Sequence, residues 1–257
     1  MPTSAHATNR YELKYFVTPA VATALRAEFA ERLDGDAMGI DGAYEVWSRY
    51  YDTPSLDFYW EKIDGEKFRR KLRIRHYGPP HTLSASTPVF VEIKQRINRT
   101  TQKRRACLTY RDAELLCAGK EPSAFDGADS TFIEEVRRLV GERHLLPIAV
   151  VAYSRQAFVG RAPESGLRIT IDSHLRGRDR DLDLSLEGQE HRLLIEPMIS
   201  VLEIKVNDRA PYWLSELAAR HRLQLERVSK YCLCIDAYGR RPRSMFHASD
   251  HEELICQ

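Results

Sequence analysis

The chain has 257 residues, of which 43% are hydrophobic and 30% charged, and its formal net charge is only +2. This length suggests one large domain or two small ones, and the near-neutral total charge gives no indication of a general nucleic-acid coat or a polybasic membrane anchor. The N-terminus lacks a secretory pattern and no run of roughly 18 apolar residues occurs, so we expect a cytoplasmic protein with no membrane span. The sequence leaves open whether a membrane protein is its partner.

The predicted elements are mostly strands, with a few helices between them. Residues 1–8 are small and polar, and we expect them to be disordered. Thr18 and Pro19 predict a helix start, because threonine caps a helix and proline suits its first turn. Strands are predicted at 12–17, 45–53, 68–78, 89–97, 103–110, 148–160, 167–177 and 201–208, with weak additions in DLDLSL and HRLLIEP. Helices are predicted at 18–33, 131–144, 211–224 and 228–239, with one or two helical turns at 55–62.

The short connections between these strands indicate the α+β class, with one antiparallel sheet system or β-barrel and the helices packed outside it. The segments 89–97 and 103–110 are predicted to form a hairpin around NRTTQ. No stretch resembles an interdomain linker, so a single domain is expected at 9–240, followed by a polar tail at 241–257.

The stretch FRRKLRIR at 68–75 shows the most pronounced charge pattern in the chain. In a strand, successive side chains alternate between faces, so four of its cations share one face. Four other predicted strands also carry charges on one face, and the motif Glu-x-Lys recurs in three of the strands. The cations on these faces are Lys14, Arg69, Lys71, Arg73, Arg75, Lys94, Arg96, Arg168 and Lys205, and the anions are Glu12, Glu92, Asp172 and Glu203.

Two interpretations of these charged faces stay open. In the first, the charged faces are the solvated outer faces of a β-sandwich, and a charged outer face is ordinary for any single strand. Alternatively they converge inside a barrel, where excess cations would repel one another unless an anion lay among them. A barrel of that kind would be a tunnel for a polyanion, with arginine forks on phosphate oxygens and carboxylates holding Mg²⁺ or Mn²⁺.

The ordered series RYELKY, SRYYDT, RRKLRIRHYG, VFVEIKQRINRTTQKRR, LRITID, VLEIK and SKYC resembles the VTC (vacuolar transporter chaperone) polyphosphate polymerase domain. That family belongs to the triphosphate tunnel metalloenzyme superfamily. The resemblance implies a tunnel barrel that transfers the γ-phosphate of ATP to a growing polyphosphate chain, with Mn²⁺ or Mg²⁺. It further implies a stand-alone domain of bacterial type. ATP, triphosphate and polyphosphate are the expected partners, and nucleic acid is not.

The resemblance also implies roles for individual residues. Those matched to catalytic phosphate contacts are Lys14, Arg73, Arg75, Lys94, Arg168 and Lys230. The resemblance assigns further substrate binding to Ser229, and the charged strand faces add Arg69, Lys71 and Lys205. The expected metal ligands are Glu203, with Glu12 or Glu92.

Two rival functions are kept beside the polymerase. One is a metal-dependent triphosphatase, although Arg10 stands where such hydrolases carry the first glutamate of Glu-x-Glu-x-Lys. The other is a non-catalytic module that binds polyphosphate or another polyanion. An RNA-binding protein is disfavoured, because aromatic residues are not interleaved with the basic strand.

Overall fold

The computed structural model describes residues 10–98, 100–123, 129–186, 190–207 and 209–240. The predicted disordered segment 1–8 and the predicted tail 241–257 lie outside these residues. The strands are β1 Arg10–Val17, β2 Asp34–Gly35, β3 Ala43–Asp52, β4 Phe68–Tyr77, β5 Pro88–Ile97, β6 Thr100–Thr109, β7 Leu146–Val159, β8 Arg168–Arg178, β9 Arg192–Leu193 and β10 Ser200–Asn207. The helices are α1 Pro19–Arg32, α2 Asp57–Ile63, α3 Tyr110–Cys117, α4 Ser130–Arg143, α5 Tyr212–Arg220 and α6 Lys230–Ala237, with a short 3₁₀ helix at Pro80–Thr82.

The strands follow one hydrogen-bonded path, β1-β10-β8-β7-β3-β4-β5-β6, with β2 on β7 and β9 on β8. The α+β class with an antiparallel sheet is confirmed. The path ends at β1 and β6, and within the described ranges no ladder joins these two strands, so the predicted barrel is open there. The charges Lys103, Arg104 and Arg105 on β6 suit an open edge, because charged side chains discourage pairing with another strand.

By its internal contacts the chain divides into two compact units, and strands β3, β7 and β8 contribute to both. The first unit comprises the described parts of Met1–Val46, Ala152–Arg176 and Ile195–Ser229. The second comprises the described parts of Trp47–Val151, Gly177–Leu194 and Lys230–Gln257. The single domain expected at 9–240 stays a prediction.

The first unit packs the apolar faces of β1, β8 and β10 against α1 and α5. Helix α1 begins as predicted, since the Thr18 side chain accepts a hydrogen bond from the backbone N–H of Val21 at 3.5 Å. Because strand side chains alternate, burying this apolar face leaves the charged side chains of the same strands on the other one. The buried core residues include Tyr15, Val17, Leu25, Phe29, Ile169, Ile171, Leu202, Ile204, Leu214 and Leu217.

The second unit buries the apolar faces of β4 and β5, where Leu72, Ile74, Val91 and Ile93 are at most 1% exposed. Helix α3 packs against β5 and β6, and α4 packs against α3 and β6. The face of β4 and β5 opposite these side chains carries four of the five cations of FRRKLRIR.

Asp52, which is fully buried, connects β3 with α2 and α6 in the second unit. Its Oδ1 accepts hydrogen bonds from the N–H groups of Thr53 and Phe58 at 2.7 and 2.9 Å. Its Oδ2 accepts them from the N–H of Tyr59 at 3.0 Å and the hydroxyl of Tyr231 at 2.6 Å. Asp52 therefore satisfies the first N–H groups of α2, which is a structural role.

Two predictions of secondary structure were wrong, and one helix, α3, was not predicted. Strand β6 begins at Thr100 rather than 103, because a two-residue connection replaces the predicted loop. Residues Tyr110–Cys117 form α3, where Thr109 caps the helix by accepting from the N–H of Asp112 at 3.1 Å. DLDLSL forms turns rather than a strand. Within the ranges that the structure describes, no helix is both long and apolar enough to cross a membrane.

Candidate functional site

The predicted site residues divide between the two units, and each unit is described by itself. Those in the first unit are Glu12, Lys14, Arg168, Glu203, Lys205 and Ser229. Those in the second unit are Arg69, Lys71, Arg73, Arg75, Glu92, Lys94 and Lys230.

In the second unit, the registers of β4, β5 and β6 place eight cations on one face, which we call the basic face. The register pairs Lys71 with Lys94 and Lys94 with Lys103, so three lysines lie side by side across the strands. The basic face consists of Arg69, Lys71, Arg73, Arg75, Lys94, Arg96, Lys103 and Arg105. In these three strands the register places a single carboxylate on that face, Glu92, opposite Arg73 and Arg105.

Glu92 organises the centre of the basic face. It is 1% exposed, and its Oε2 lies 2.7 Å from Arg73 Nε, 2.6 Å from Arg73 Nη2 and 3.8 Å from Arg75 Nη1. Its Oε1 lies 2.5 Å from Lys103 Nζ. Burial alone would raise the pKa of Glu92, but Arg73, Arg75 and Lys103 outweigh it and hold the pKa well below its usual range. These contacts indicate that Glu92 positions the two arginines, and they are less typical of a metal ligand.

Strand β3 supplies the acceptors beside the two arginines. Arg73 Nη1 donates to the Tyr50 hydroxyl at 3.0 Å, and Arg75 Nε donates to Ser48 Oγ at 3.1 Å. Burial would raise the pKa of Tyr50, but Arg73, Arg75 and Lys71 more than offset it and lower the pKa to about 8. Tyr50 is therefore a titratable group in contact with the basic face.

Lys103 and Arg105 were missed by the sequence reasoning, because the predicted hairpin placed β6 in another register. Burial of its charge and the neighbouring Arg73 and Arg75 lower the pKa of Lys103, although Glu92 raises it. Its side chain is 40% exposed, so solvent moderates this shift. Lys71 Nζ lies 5.3 Å from the centre of the Tyr231 ring, which orients that lysine by a cation–π contact.

In the first unit, paired strands bring lysines and glutamates together. Lys14 on β1 lies opposite Glu203 on β10, and Glu12 lies opposite Lys205. Lys14 Nζ lies 3.1 Å from Glu12 and 3.8 Å from Glu203, and it donates to the carbonyl of Val228 at 3.1 Å. Lys205 Nζ lies 2.5 Å from the other oxygen of Glu203. The two Glu-x-Lys motifs thus form one alternating charge cluster.

Arg155 on β7 adds a buried cation to this unit that sequence reasoning did not select. Its Nε and Nη2 donate to the two oxygens of Asp172 at 2.7 and 2.8 Å, a bidentate pair. Burial would lower the pKa of Arg155, but Asp172 raises it well above the ordinary value. Arg155 therefore stays charged, and Glu203 is among the anions that favour this charge.

Three further predicted residues have distinct surroundings. Arg168 donates to Asp36 and, at 3.1 Å, to the Tyr44 hydroxyl. Lys230 begins α6 and is 9% exposed, and Ser229 immediately precedes it. Thr170, between Arg168 and Asp172 on β8, is 1% exposed, and its hydroxyl has no hydrogen-bond partner among the described residues.

The described residues contain no cluster of three or more histidine, cysteine, aspartate or glutamate side chains that could hold a metal. Glu12 and Glu203 nevertheless both lie within 4 Å of Lys14 Nζ, so their carboxylates converge on one cationic position. Magnesium is often held by one or two carboxylates, with water and substrate phosphates completing the shell. The donor set of this cluster fits that arrangement.

Comparison with known proteins gives one family match and one curated relative. The family model named VTC domain matches residues 9–238. Subunit 2 of the vacuolar transporter chaperone complex from Schizosaccharomyces pombe is 26% identical over 238 residues. That match covers 77% of this chain and 32% of the relative, so the chain spans about a third of the relative's length.

Two solved structures are similar over most of their length. One is the PH1819 protein from Pyrococcus horikoshii OT3, with a TM-score of 0.46 and 14% identity over 88% of this chain and 98% of that one. The other is bh2851 from Bacillus halodurans, provisionally assigned as an adenylate cyclase, with a TM-score of 0.48 and 11% identity over 86% and 95%. At these scores the two likenesses say nothing about activity.

Proposed function

This chain belongs to the VTC domain family, and on that premise we propose that it is a polyphosphate polymerase that transfers the γ-phosphate of ATP to a growing polyphosphate chain. The observation that carries the proposal is the basic face of β4, β5 and β6, where eight cations surround one carboxylate. Like charges at this density repel one another, and a phosphate chain would relieve that repulsion along the whole face.

In the second unit, Arg73, Arg75 and Lys94 are the residues we assign to phosphate binding. Phosphoryl transfer depends mainly on positioning and charge neutralisation, so the protein needs no covalent nucleophile. Glu92 fixes the guanidinium groups of both arginines before substrate binds, which lowers the ordering cost of binding. Arg69 and Lys71 extend the same face and would contact further phosphates of the chain.

In the first unit, Lys14, Arg168 and Lys205 supply additional cationic contacts. Glu203, with Glu12, would hold Mn²⁺ or Mg²⁺, and a cation bound there would neutralise charge on phosphate oxygens. Both carboxylates already contact a lysine in the protein alone. Ser229 of this unit and Lys230 of the second unit are each assigned to orienting phosphate.

The decisive experiment incubates the protein with ATP and Mn²⁺ or Mg²⁺ and follows long-chain polyphosphate on a gel. The proposal expects polyphosphate from the wild type, none from Arg73→Ala, and wild-type yield from Arg104→Gln, whose side chain lies on the opposite face of β6. Release of only phosphate and ADP would replace the polymerase by a triphosphatase.

A second candidate function, a non-catalytic polyanion-binding module, is favoured by one observation. Glu203, the expected metal ligand, pairs with Lys205 Nζ at 2.5 Å and with Lys14 Nζ at 3.8 Å, so lysines already supply the positive charge that a metal would bring. If no nucleotide turns over with either metal while triphosphate raises the melting temperature, the binding module replaces the enzyme.

A further inference from the structure

A cavity of about 570 Å³ lies within the second unit and is separate from the basic face. Its lining includes Arg49 and Tyr51 of β3, whereas Ser48 and Tyr50 of the same strand contact the basic face. Successive strand side chains point to opposite faces, so the cavity lies on the other side of β3. Helix α3, the end of α4 and the start of β7 complete its wall.

Arg49 is the main charged group of this cavity, and it is only 6% exposed. Its guanidinium lies over the rings of Tyr51 and Tyr110, at 5.7 and 5.6 Å from their centres. Nη2 donates to Glu114 at 3.0 Å and Nη1 to the carbonyl of Leu182 at 3.4 Å. In the part of the chain that the structure describes, Nε–H has no hydrogen-bond partner, so the five-donor guanidinium retains unused capacity.

The charges lining the cavity are mostly positive. Arg111 and Lys120 line it together with Arg49, and Glu114 is the carboxylate among its lining residues. Arg111 and Lys120 are exposed, so they would attract an anion from solution before it reached Arg49.

The rest of the wall is apolar and comes from Leu115, Val140, Leu145, Leu146 and Pro147. Leu146 is 51% exposed, so the cavity is open to solvent at this residue. A cavity with this volume, mostly apolar and with a few polar groups, has the ordinary properties of a small-molecule site.

A redox or nucleophilic site at Cys117 does not explain the cavity. The thiol is buried, and burial raises the pKa of Cys117 to about 12. The reactive thiolate is therefore absent at neutral pH, and the side chain serves as a small apolar part of the wall.

We propose that this cavity binds a small organic anion, with its charged head on Arg49, Arg111 and Lys120 and a short apolar body against the leucine and valine side chains. The head would take over the Nη2 donor of Arg49 that Glu114 now uses. Glu114 is therefore a competitor for the ligand, since its side chain is 41% exposed and can turn towards solvent.

The test titrates the full chain with n-octanoate, 1-octanol and acetate by isothermal titration calorimetry. Octanoate carries both the head and the body, while octanol lacks the charge and acetate lacks the body. We expect octanoate to bind at least about tenfold more tightly than either, because neither half alone satisfies the cavity.

Variants at exposed positions distinguish binding in this cavity from nonspecific binding of octanoate to the protein surface. The double variant Arg111→Gln, Lys120→Gln should weaken octanoate binding by about five- to tenfold, while Arg138→Gln on the exposed surface of α4 should leave it unchanged. Glu114→Gln should tighten binding about threefold, since it removes the competing carboxylate. Equal affinity for octanoate and octanol, no octanoate binding, or unchanged binding by Glu114→Gln would each overturn the proposal.

Discussion

Arg73 and Glu92 lie directly opposite each other on β4 and β5, and one oxygen of Glu92 contacts both Nε and Nη2 of Arg73 at 2.7 and 2.6 Å. The third nitrogen, Nη1, donates to Tyr50 at 3.0 Å. The guanidinium plane is thus fixed from two sides. An arginine fixed in this way loses little conformational entropy when it binds a phosphate, which is the physical basis of the predictions on the basic face.

Glu92→Gln should destabilise the protein by about 3 kcal/mol, because it leaves Arg73, Arg75 and Lys103 without their buried counter-charge. Urea unfolding measures the loss. Glu134→Gln is the matched control, since that glutamate is 69% exposed and pairs with Arg137 on the surface, and we expect a change below about 0.5 kcal/mol. Equal effects of the two substitutions would refute the organising role of Glu92.

The same carboxylate predicts an acid dependence of stability. The folded pKa of Glu92 is lowered, so its contribution is complete above the unfolded pKa of about 4.3 and is lost as the pH falls below that value. Unfolding free energies measured from neutral to acid pH should show a steeper decline for the wild type than for Glu92→Gln. The same pH dependence of the unfolding free energy in both proteins would contradict the lowered pKa of Glu92.

Arg105→Gln should weaken polyphosphate binding by about three- to tenfold at low salt, because Arg105 lies opposite Glu92 on the basic face. Arg104→Gln makes the same charge change one residue earlier on β6. Arg104 lies opposite Ile93 and pairs with Glu135 of α4, so its side chain is on the other face. Equal losses from both variants in a binding titration would show that strand register does not decide affinity.

These two neighbouring arginines also show where sequence reasoning reached its limit. The hairpin predicted around NRTTQ places 103 opposite 97, whereas the structure pairs Ile97 with Thr100. The register differs by three residues, and an odd difference moves every side chain of β6 to the other face. Asn98, with φ of +54°, begins a two-residue connection that suits a hairpin, so asparagine at this position was the overlooked signal.

The faces of single strands were predictable from alternation, and most apolar residues on the predicted inward faces of β4, β5, β8 and β10 are buried. Phe68 and Ile97, which pair with each other at one end of β4 and β5, are exceptions at 41% and 42% exposed. Partners from distant strands were not predictable. Arg155 is one cation in an otherwise ordinary strand, and nothing in the sequence around it indicates that Asp172 will lie beside it. Such pairing depends on the tertiary register, which no local pattern encodes.

The bidentate pair between Arg155 and Asp172 should couple strongly in a double-mutant cycle. Arg155→Lys keeps the charge but loses one of the two parallel hydrogen bonds, and Asp172→Asn removes the counter-charge from a fully buried position. We expect each single variant to cost about 2–4 kcal/mol and the coupling to exceed about 1.5 kcal/mol. Additive effects in urea unfolding would mean that the pair does not act as a unit.

Ionisation of Tyr50 at alkaline pH should raise the stability of the folded protein and lower its affinity for triphosphate. Its folded pKa is lowered to about 8 from 10, so the ionised form gains favour in the folded protein over that range. Relative to Tyr50→Phe, the wild type should gain free energy of unfolding as the pH rises from 8 towards 10. Over this range Tyr50 loses its proton in the folded protein but keeps it in the unfolded chain, which favours the folded state.

Over the same pH range the new negative charge next to Arg73 should weaken binding of inorganic triphosphate to the wild type. Triphosphate itself also titrates, and the comparison with Tyr50→Phe removes that contribution. Ultraviolet difference absorbance reports tyrosinate directly, and binding curves for the two proteins at each pH give the ratio. A ratio that does not change across this range would refute the proximity of Tyr50 to bound phosphate.

Thr170→Val should stabilise the protein alone by about 1 kcal/mol, because the substitution removes a buried hydroxyl that has no hydrogen-bond partner among the described residues. Thr109→Val is the control with the same chemical change. Thr109 caps α3, so this substitution should lower the stability by about 1 kcal/mol. Thr170 lies opposite Glu203, the proposed metal ligand, so a ligand held by Glu203 would lie near the buried threonine hydroxyl and could supply its missing hydrogen bond. Thr170→Val should therefore show a smaller rise in melting temperature with triphosphate and Mn²⁺ than the wild type. A stabilised variant with an undiminished rise would limit Thr170 to a packing role.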